Sequence, residues 1–248
     1  MKVRIAISIG FVLMVILGCI KNETEKADIE SDLAYFPLQV GQYREYKVDS
    51  ILYRQGKFLD STSSFIREEI TTKVTDTLGE EYIILRSIRK NDIDPWVPNA
   101  SFTARIYYFK AVRNEGNVHL VCLVFPFIIN QSWEGLSLIN TDQVYDVQGE
   151  SVQIYQGWEP FKIKENAKPE IISGLNYRDV VTVLQSDEED ILTKRYSLEK
   201  YAKGVGLVYK EMAIYDCNSQ INTCSNGVPW NKRATKGYFM RQTLLKHN

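Results

Sequence analysis

The chain has 248 residues, of which 44% are hydrophobic and 25% charged, with 30 basic against 31 acidic side chains and a formal net charge of −1. That balance belongs to a globular domain able to bury a core, and its length suits one all-β domain or two small ones. No basic excess or basic stripe is present, which argues against nucleic-acid binding.

The N-terminus is organised differently from the rest. Lys2 and Arg4 precede an apolar run from Ile5 to Leu17, which is too short to cross a bilayer core of roughly 20 residues and has the length of a secretory h-region. The run ends Ile16-Leu17-Gly18-Cys19. This resembles the lipobox of bacterial lipoproteins, in which a small residue admits the signal peptidase and the cysteine thiol accepts the lipid. The resemblance implies a signal segment over 1–18, a diacylglyceryl thioether on Cys19 and attachment to the membrane through it. No Asp follows Cys19 and the next residues are Ile20-Lys21-Asn22-Glu23, a pattern that favours the outer membrane and leaves the leaflet open. Residues 19–34 read as a flexible charged tether, and 35–248 as the globular domain.

From there the chain reads as β. Phe65 to Val74 puts Ile66, Ile70 and Val74 on one parity, and Tyr82-Ile83-Ile84-Leu85 is a short apolar run. Phe102 to Arg113 and Val118 to Phe125 flank Asn114-Glu115-Gly116-Asn117, a hairpin signal. Tyr177 to Gln185 and Ile191 to Leu198 flank an acidic tip at residues 186–190, and Leu207 to Tyr215 and Tyr238 to Leu245 complete the series. Short helices are expected only near Asp28–Leu33 and around Glu165–Ile172. A weak seam near Pro126–Trp133 leaves open two sub-lobes sharing one sheet. The expected fold is all-β with few short helices: an antiparallel curved sheet, half-barrel, barrel or sandwich.

Several stretches are similar to an uncharacterised group of Bacteroidota-type outer-membrane lipoproteins. Tyr35-Phe36-Pro37-Leu38-Gln39-Val40-Gly41 resembles their opening turn, and Tyr201-Ala202-Lys203-Gly204-Val205-Gly206-Leu207-Val208 the junction of two long strands. Phe125-Pro126-Phe127 with Ser132-Trp133-Glu134-Gly135 resembles the middle turn, and Gly237 to Leu245 the last strand. The resemblance implies a β-rich envelope protein, similar in fold to the half-barrel of lipoprotein carriers. It transfers no catalytic residue.

Four cysteines are present. Cys19 is the lipid acceptor, Cys217 and Cys224 lie in one polar loop and can close a disulfide in an exported protein, and Cys122 reads as a small buried apolar residue. Signals for other chemistry are weak. Gly204-Val205-Gly206 lacks the third glycine of a dinucleotide fingerprint, Tyr209 standing in its place. His119 and His247, the two histidines, have no second metal ligand at turn or helix spacing. Asn91-Asp92-Ile93-Asp94-Pro95 lacks the glycine and distal Glu of a calcium loop, and the adjacent Glu188 and Glu189 would point to opposite faces of a strand. Trp96, Trp133, Trp158 and Trp230 stand near turns, where burial is the commoner fate. No catalytic residue, metal site or cofactor is assigned. The reading is a non-enzymatic, membrane-anchored lipoprotein that binds a hydrophobic or extended ligand (a lipid, a glycan) or an envelope protein. A structural or surface-interaction protein stands second, and an envelope glycan hydrolase, which would need facing carboxylates in a cleft, third.

Overall fold

The computed structural model describes residues 29–54, 57–116 and 118–248, so the signal segment, Cys19 and the tether as far as residue 28 lie outside the described residues. In chain order the elements are α1 (Ile29–Leu33), β1 (Tyr43–Arg54), β2 (Lys57–Asp76), β3 (Gly79–Arg89), β4 (Val97–Tyr107), β5 (Lys110–Glu115), β6 (Val118–Val124), β7 (Ser132–Trp133), β8 (Tyr145–Val147), β9 (Glu150–Val152), β10 (Phe161–Ile172), β11 (Leu175–Glu189), β12 (Thr193–Ala202), β13 (Gly206–Asp216), α2 (Trp230–Arg233) and β14 (Lys236–His247).

Twelve strands form one antiparallel sheet in the order β6-β5-β4-β3-β2-β1-β14-β13-β12-β11-β10-β7, while β8 and β9 make a separate hairpin. Two meanders are therefore joined side by side. β1 to β6 run consecutively, β10 to β14 do the same, and the β1–β14 pairing welds them from Arg44↔His247 to Arg54↔Lys236. Beyond its end, Tyr43 N–H donates to Asn248 Oδ1 at 2.8 Å. The sheet curls until its two edges nearly meet. Val121 N–H of β6 donates to Gly135 O, just past β7, at 3.0 Å, and Trp133 Nε1 donates to Val121 O at 2.7 Å. The product is a nearly closed barrel, as the curved-sheet expectation held. Gly135 is required at this closure, since a Cβ there would stand 2.2 Å from the buried Phe161 ring.

The inner face is the main core. Phe102 and Ile84 from the first meander meet Phe161, Ile163, Val181 and Val183 from the second, and Ile29 and Leu33 of α1 pack against them. Asp32 Oδ2 accepts from Phe127 N–H at 2.8 Å, and Ala34 O from Gly204 N–H at 2.8 Å. Residues 29–34, assigned above to the tether, thus belong to the folded domain. On the outer face Tyr53, Ala213 and Tyr215 pack under Cys217, Trp230 and Ala234. This outer cover is the loop between β13 and β14, in which Cys217 and Cys224 are joined as a disulfide, Cα–Cα 5.9 Å.

Three local expectations are corrected. Residues 165–172 are strand: Phe161 and Ile163 are buried while Lys162 and Lys164 are exposed, a period of two. Pro169 is tolerated there because β7 and the two residues before it pair with β10 no further than Ile163, leaving the rest an edge. Phe102 to Arg113 is not one strand but β4 and β5, turned at Tyr108 and Phe109 with φ of 43° and 59°. The acidic tip is shorter than expected, because β11 runs on to Glu189. The turn is closed by Asp190, whose Oδ1 accepts from Leu192 and Thr193 N–H.

Candidate functional site

Alternation along a strand should put apolar side chains on the lumen face. In the middle of this barrel it places charges instead. Glu68 of β2 shares its parity with Ile66 and Ile70 and is 3% exposed. Its cross-strand neighbour is Arg86, whose Nη2 lies 2.6 Å from Glu68 Oε1. Arg113 Nη2 reaches the same Glu68 oxygen at 3.2 Å and Glu115 Oε1 at 2.5 Å, and Arg86 Nη1 reaches Glu115 Oε2 at 3.1 Å. Both guanidiniums lie over the Phe102 ring, at 4.8 and 4.7 Å.

A second group faces it from the other meander. Glu199, Lys210 and Gln242 stand in one cross-strand row over β12, β13 and β14. Lys210 Nζ is 2.8 Å from Glu199 Oε1, and Tyr201 O–H donates to Glu199 Oε2 at 2.5 Å. Burial raises the Tyr155 phenol to about 12, with the Lys210 ammonium working against that rise. The loop carrying Tyr155 and Trp158 packs against the main core.

Between the two groups is a cavity of about 320 Å³, at the lower end of the usual size for small-molecule sites. Its charged wall is Arg86, Arg113, Glu115, Glu199 and Lys210; its apolar wall includes Val48, Ile66, Leu120, Leu207, Met212 and Met240. Val48 and Met240 also line an adjoining recess of about 150 Å³ under the β8–β9 hairpin, which contributes Val147 and Gln148. That hairpin is latched to β1 by Arg54, whose Nε lies 2.6 Å from Glu150 Oε1.

The charges are matched within the cluster, three cations to three carboxylates, and the pairing sets their acidity. Burial works to raise the Glu68 and Glu115 carboxyls, but Arg113 and Arg86 outweigh it, so Glu68 is lowered and Glu115 falls from its usual 4.5 to about 2. A glycosidase needs one carboxyl held protonated near neutral pH as general acid. Glu68 and Glu115 are shifted the opposite way, held as carboxylates by their ion pairs with Arg86 and Arg113.

The residues singled out in the sequence fall mostly elsewhere. Cys122 alone lines the cavity, buried, with its thiol pushed up to about 12 chiefly by that burial. Cys19 lies outside the described residues, and the Cys217–Cys224 disulfide is on the outer face. His119 is in β6 and His247 ends β14, in different meanders. Gly204 and Gly206 bend the chain between β12 and β13, with φ of 77° and 93°. Asp94 Oδ2 is taken by Asn91 N–H and Nδ2 in a closed turn. Glu189 accepts from Trp230 Nε1 and pairs with Arg233 and Lys194. Trp230 is buried and Trp133 and Trp158 are half-buried against the core, whereas Trp96 is covered by Arg89 at 4.3 Å on the surface. Among the described residues no group of three His, Cys, Asp or Glu side chains is placed to hold a metal ion. The lumen charges were missed because they stand beside other charged or polar residues in sequence, Glu68 between Arg67 and Glu69, Glu199 before Lys200 and Lys210 before Glu211, and so read as parts of a solvated face; the one available signal was Glu68, a charge at a core parity.

No protein-family model matches the sequence, and no curated protein matches it. Among solved structures, a protein of Parabacteroides distasonis described as a candidate lipoprotein aligns over 86% of this chain and 98% of its own, at 13% identity and a TM-score of 0.42. A candidate exported protein of Bacteroides fragilis with a YmcC-like fold aligns over 86% and 98%, at 12% identity and a TM-score of 0.37.

Proposed function

We propose that this chain is a lipid-anchored protein of the bacterial envelope, without catalytic activity, whose barrel lumen binds an amphipathic ligand. The anchor reading rests on the lipobox-like Ile16-Leu17-Gly18-Cys19. The binding reading rests on one observation, the cavity of about 320 Å³ with one apolar and one charged wall. The methionine and aliphatic side chains suit an acyl or other apolar chain, and Met212 and Met240 adapt readily to its shape. The charged wall is already paired within itself. A strongly anionic ligand would have to break those pairs, so the polar end of the ligand is uncharged or zwitterionic.

The test is native mass spectrometry of the chain lacking residues 1–19 after incubation with an envelope extract of its own host. The expected result is a single added mass, lost in Met240→Trp, which fills the cavity while the domain stays folded by circular dichroism. A bare mass for the unsubstituted chain would sink the binding reading and put a scaffold role ahead, to be pursued by cross-linking in intact cells.

A further inference from the structure

We propose that the end of the barrel bearing Tyr108, Phe109, Ile128 and Ile129 docks into the interfacial layer of a lipid bilayer. Tyr108 and Phe109 form the two-residue β4–β5 turn, both in the left-handed region. That conformation is the province of Asn and Gly, yet here it presents two aromatic rings, 76% and 54% exposed. Beside them, Ile128 and Ile129 are 58% and 49% exposed. The two pairs are neighbours in space, because Phe125 N–H, from the start of the Ile128 loop, donates to Phe109 O at 2.8 Å.

The chain also enters the fold here. Asp32 of α1 accepts from Phe127 N–H at 2.8 Å, one residue before Ile128. The stretch from Cys19 to Ile29 spans at most about 35 Å fully extended. A lipid on Cys19 would therefore place its membrane within reach of this end, where the chain enters the fold; this step rests on the anchor reading above. Composition agrees. Tyr107-Tyr108-Phe109-Lys110 and Phe127-Ile128-Ile129-Asn130 contain no carboxylate. Two of the exposed aliphatic stretches of the opposite end sit among acids, Asp92-Ile93-Asp94 and Asp190-Ile191-Leu192. Aromatic rings belong at the headgroup level of a bilayer, whereas buried carboxylates there are costly.

The full chain, purified in detergent, would be reconstituted into phosphatidylethanolamine–phosphatidylglycerol vesicles containing a photoreactive diazirine lipid, and labelled peptides mapped by mass spectrometry. Labels are expected at residues 107–110 and 127–130 and not at 91–95 or 190–193. Tyr108→Asn with Phe109→Gly, which supplies the preferred turn pair and so does not threaten folding, should lose the label at that turn. Labels at both ends alike, labels at the far end, or self-cross-links between copies through these turns would overturn the docking. The mass of the Cys19 peptide separates the two readings. A lipidated Cys19 with unlabelled turns keeps the anchor and ends the docking; labelled turns with bare Cys19 do the reverse.

Discussion

Glu68 lies on the core side of β2, between Ile66 and Ile70, where a carboxylate survives only if paired. Arg86 and Arg113 supply that pairing from β3 and β5, so one buried charge ties together strands far apart in sequence. The linkage has a sign. Glu115 and Glu68 are more acidic folded than unfolded, so their contribution is complete above the ordinary carboxyl pKa of 4.5. It is lost as pH falls toward the folded value, about 2 for Glu115. Denaturant titrations between pH 5 and pH 2 should show stability falling with acid. Arg113→Met should lower stability at pH 7 by about 3 kcal/mol or more, the usual cost of stranding a buried charge, and should flatten the acid slope. An unchanged slope would mean the arginine does not set these carboxyls. Cys122 tells the same story with a neutral group. Burial holds its proton on, so iodoacetamide at pH 8 should leave it unmodified in the native protein and modify it after unfolding. Native labelling at Cys122 would show the lumen to be open to reagents of that size.

At the scale of the element, the strands were legible where alternation was clean and the turn residues conventional. β13 and β14 have boundaries within two residues of expectation because Gly206 and Gly237 mark their starts. Gly237 has a second duty, since a Cβ there would lie 2.0 Å from Ile214 O. The β4–β5 turn was illegible for the opposite reason: Tyr108 and Phe109 are strand formers by propensity and carry no turn signal. The element most dependent on covalent help is the β13–β14 loop. Its disulfide closes a short ring, for which the chain-entropy estimate is about 2.5 kcal/mol. The ring holds Trp230, whose indole stacks on Tyr215 at 5.8 Å. Replacing both Cys217 and Cys224 by serine should lower stability by about that amount and increase hydrogen exchange in residues 217–235, leaving β2 to β5 unaffected. Equal loss of protection across the barrel would show the loop to be part of the global core.

For the whole molecule, sequence reasoning reached the class of fold and the seam but not the interior. The seam at Pro126–Trp133 is real in topology: it separates the two meanders and lies where the barrel's edges approach. The lumen could not be read, because its charged groups come from β2, β3, β5, β12 and β13, and no short window of sequence contains both the Glu68–Arg86–Arg113–Glu115 group and the Glu199–Lys210 group that lines the cavity with it. Cross-strand register decides which side chains meet, and register over such separations is not written locally.

The β1–β14 weld has a consequence for how the protein is made. Tyr43 and Asn248 are 205 positions apart, and synthesis delivers β1 long before β14. Until β14 emerges, the nascent first meander presents β1 as a long unpaired edge, the kind of surface that recruits strands from other chains. Late β14 is therefore the step that ends the period of aggregation risk, and a chain cut short before Lys236 keeps both β1 and β13 as sticky edges, however well its meanders have formed.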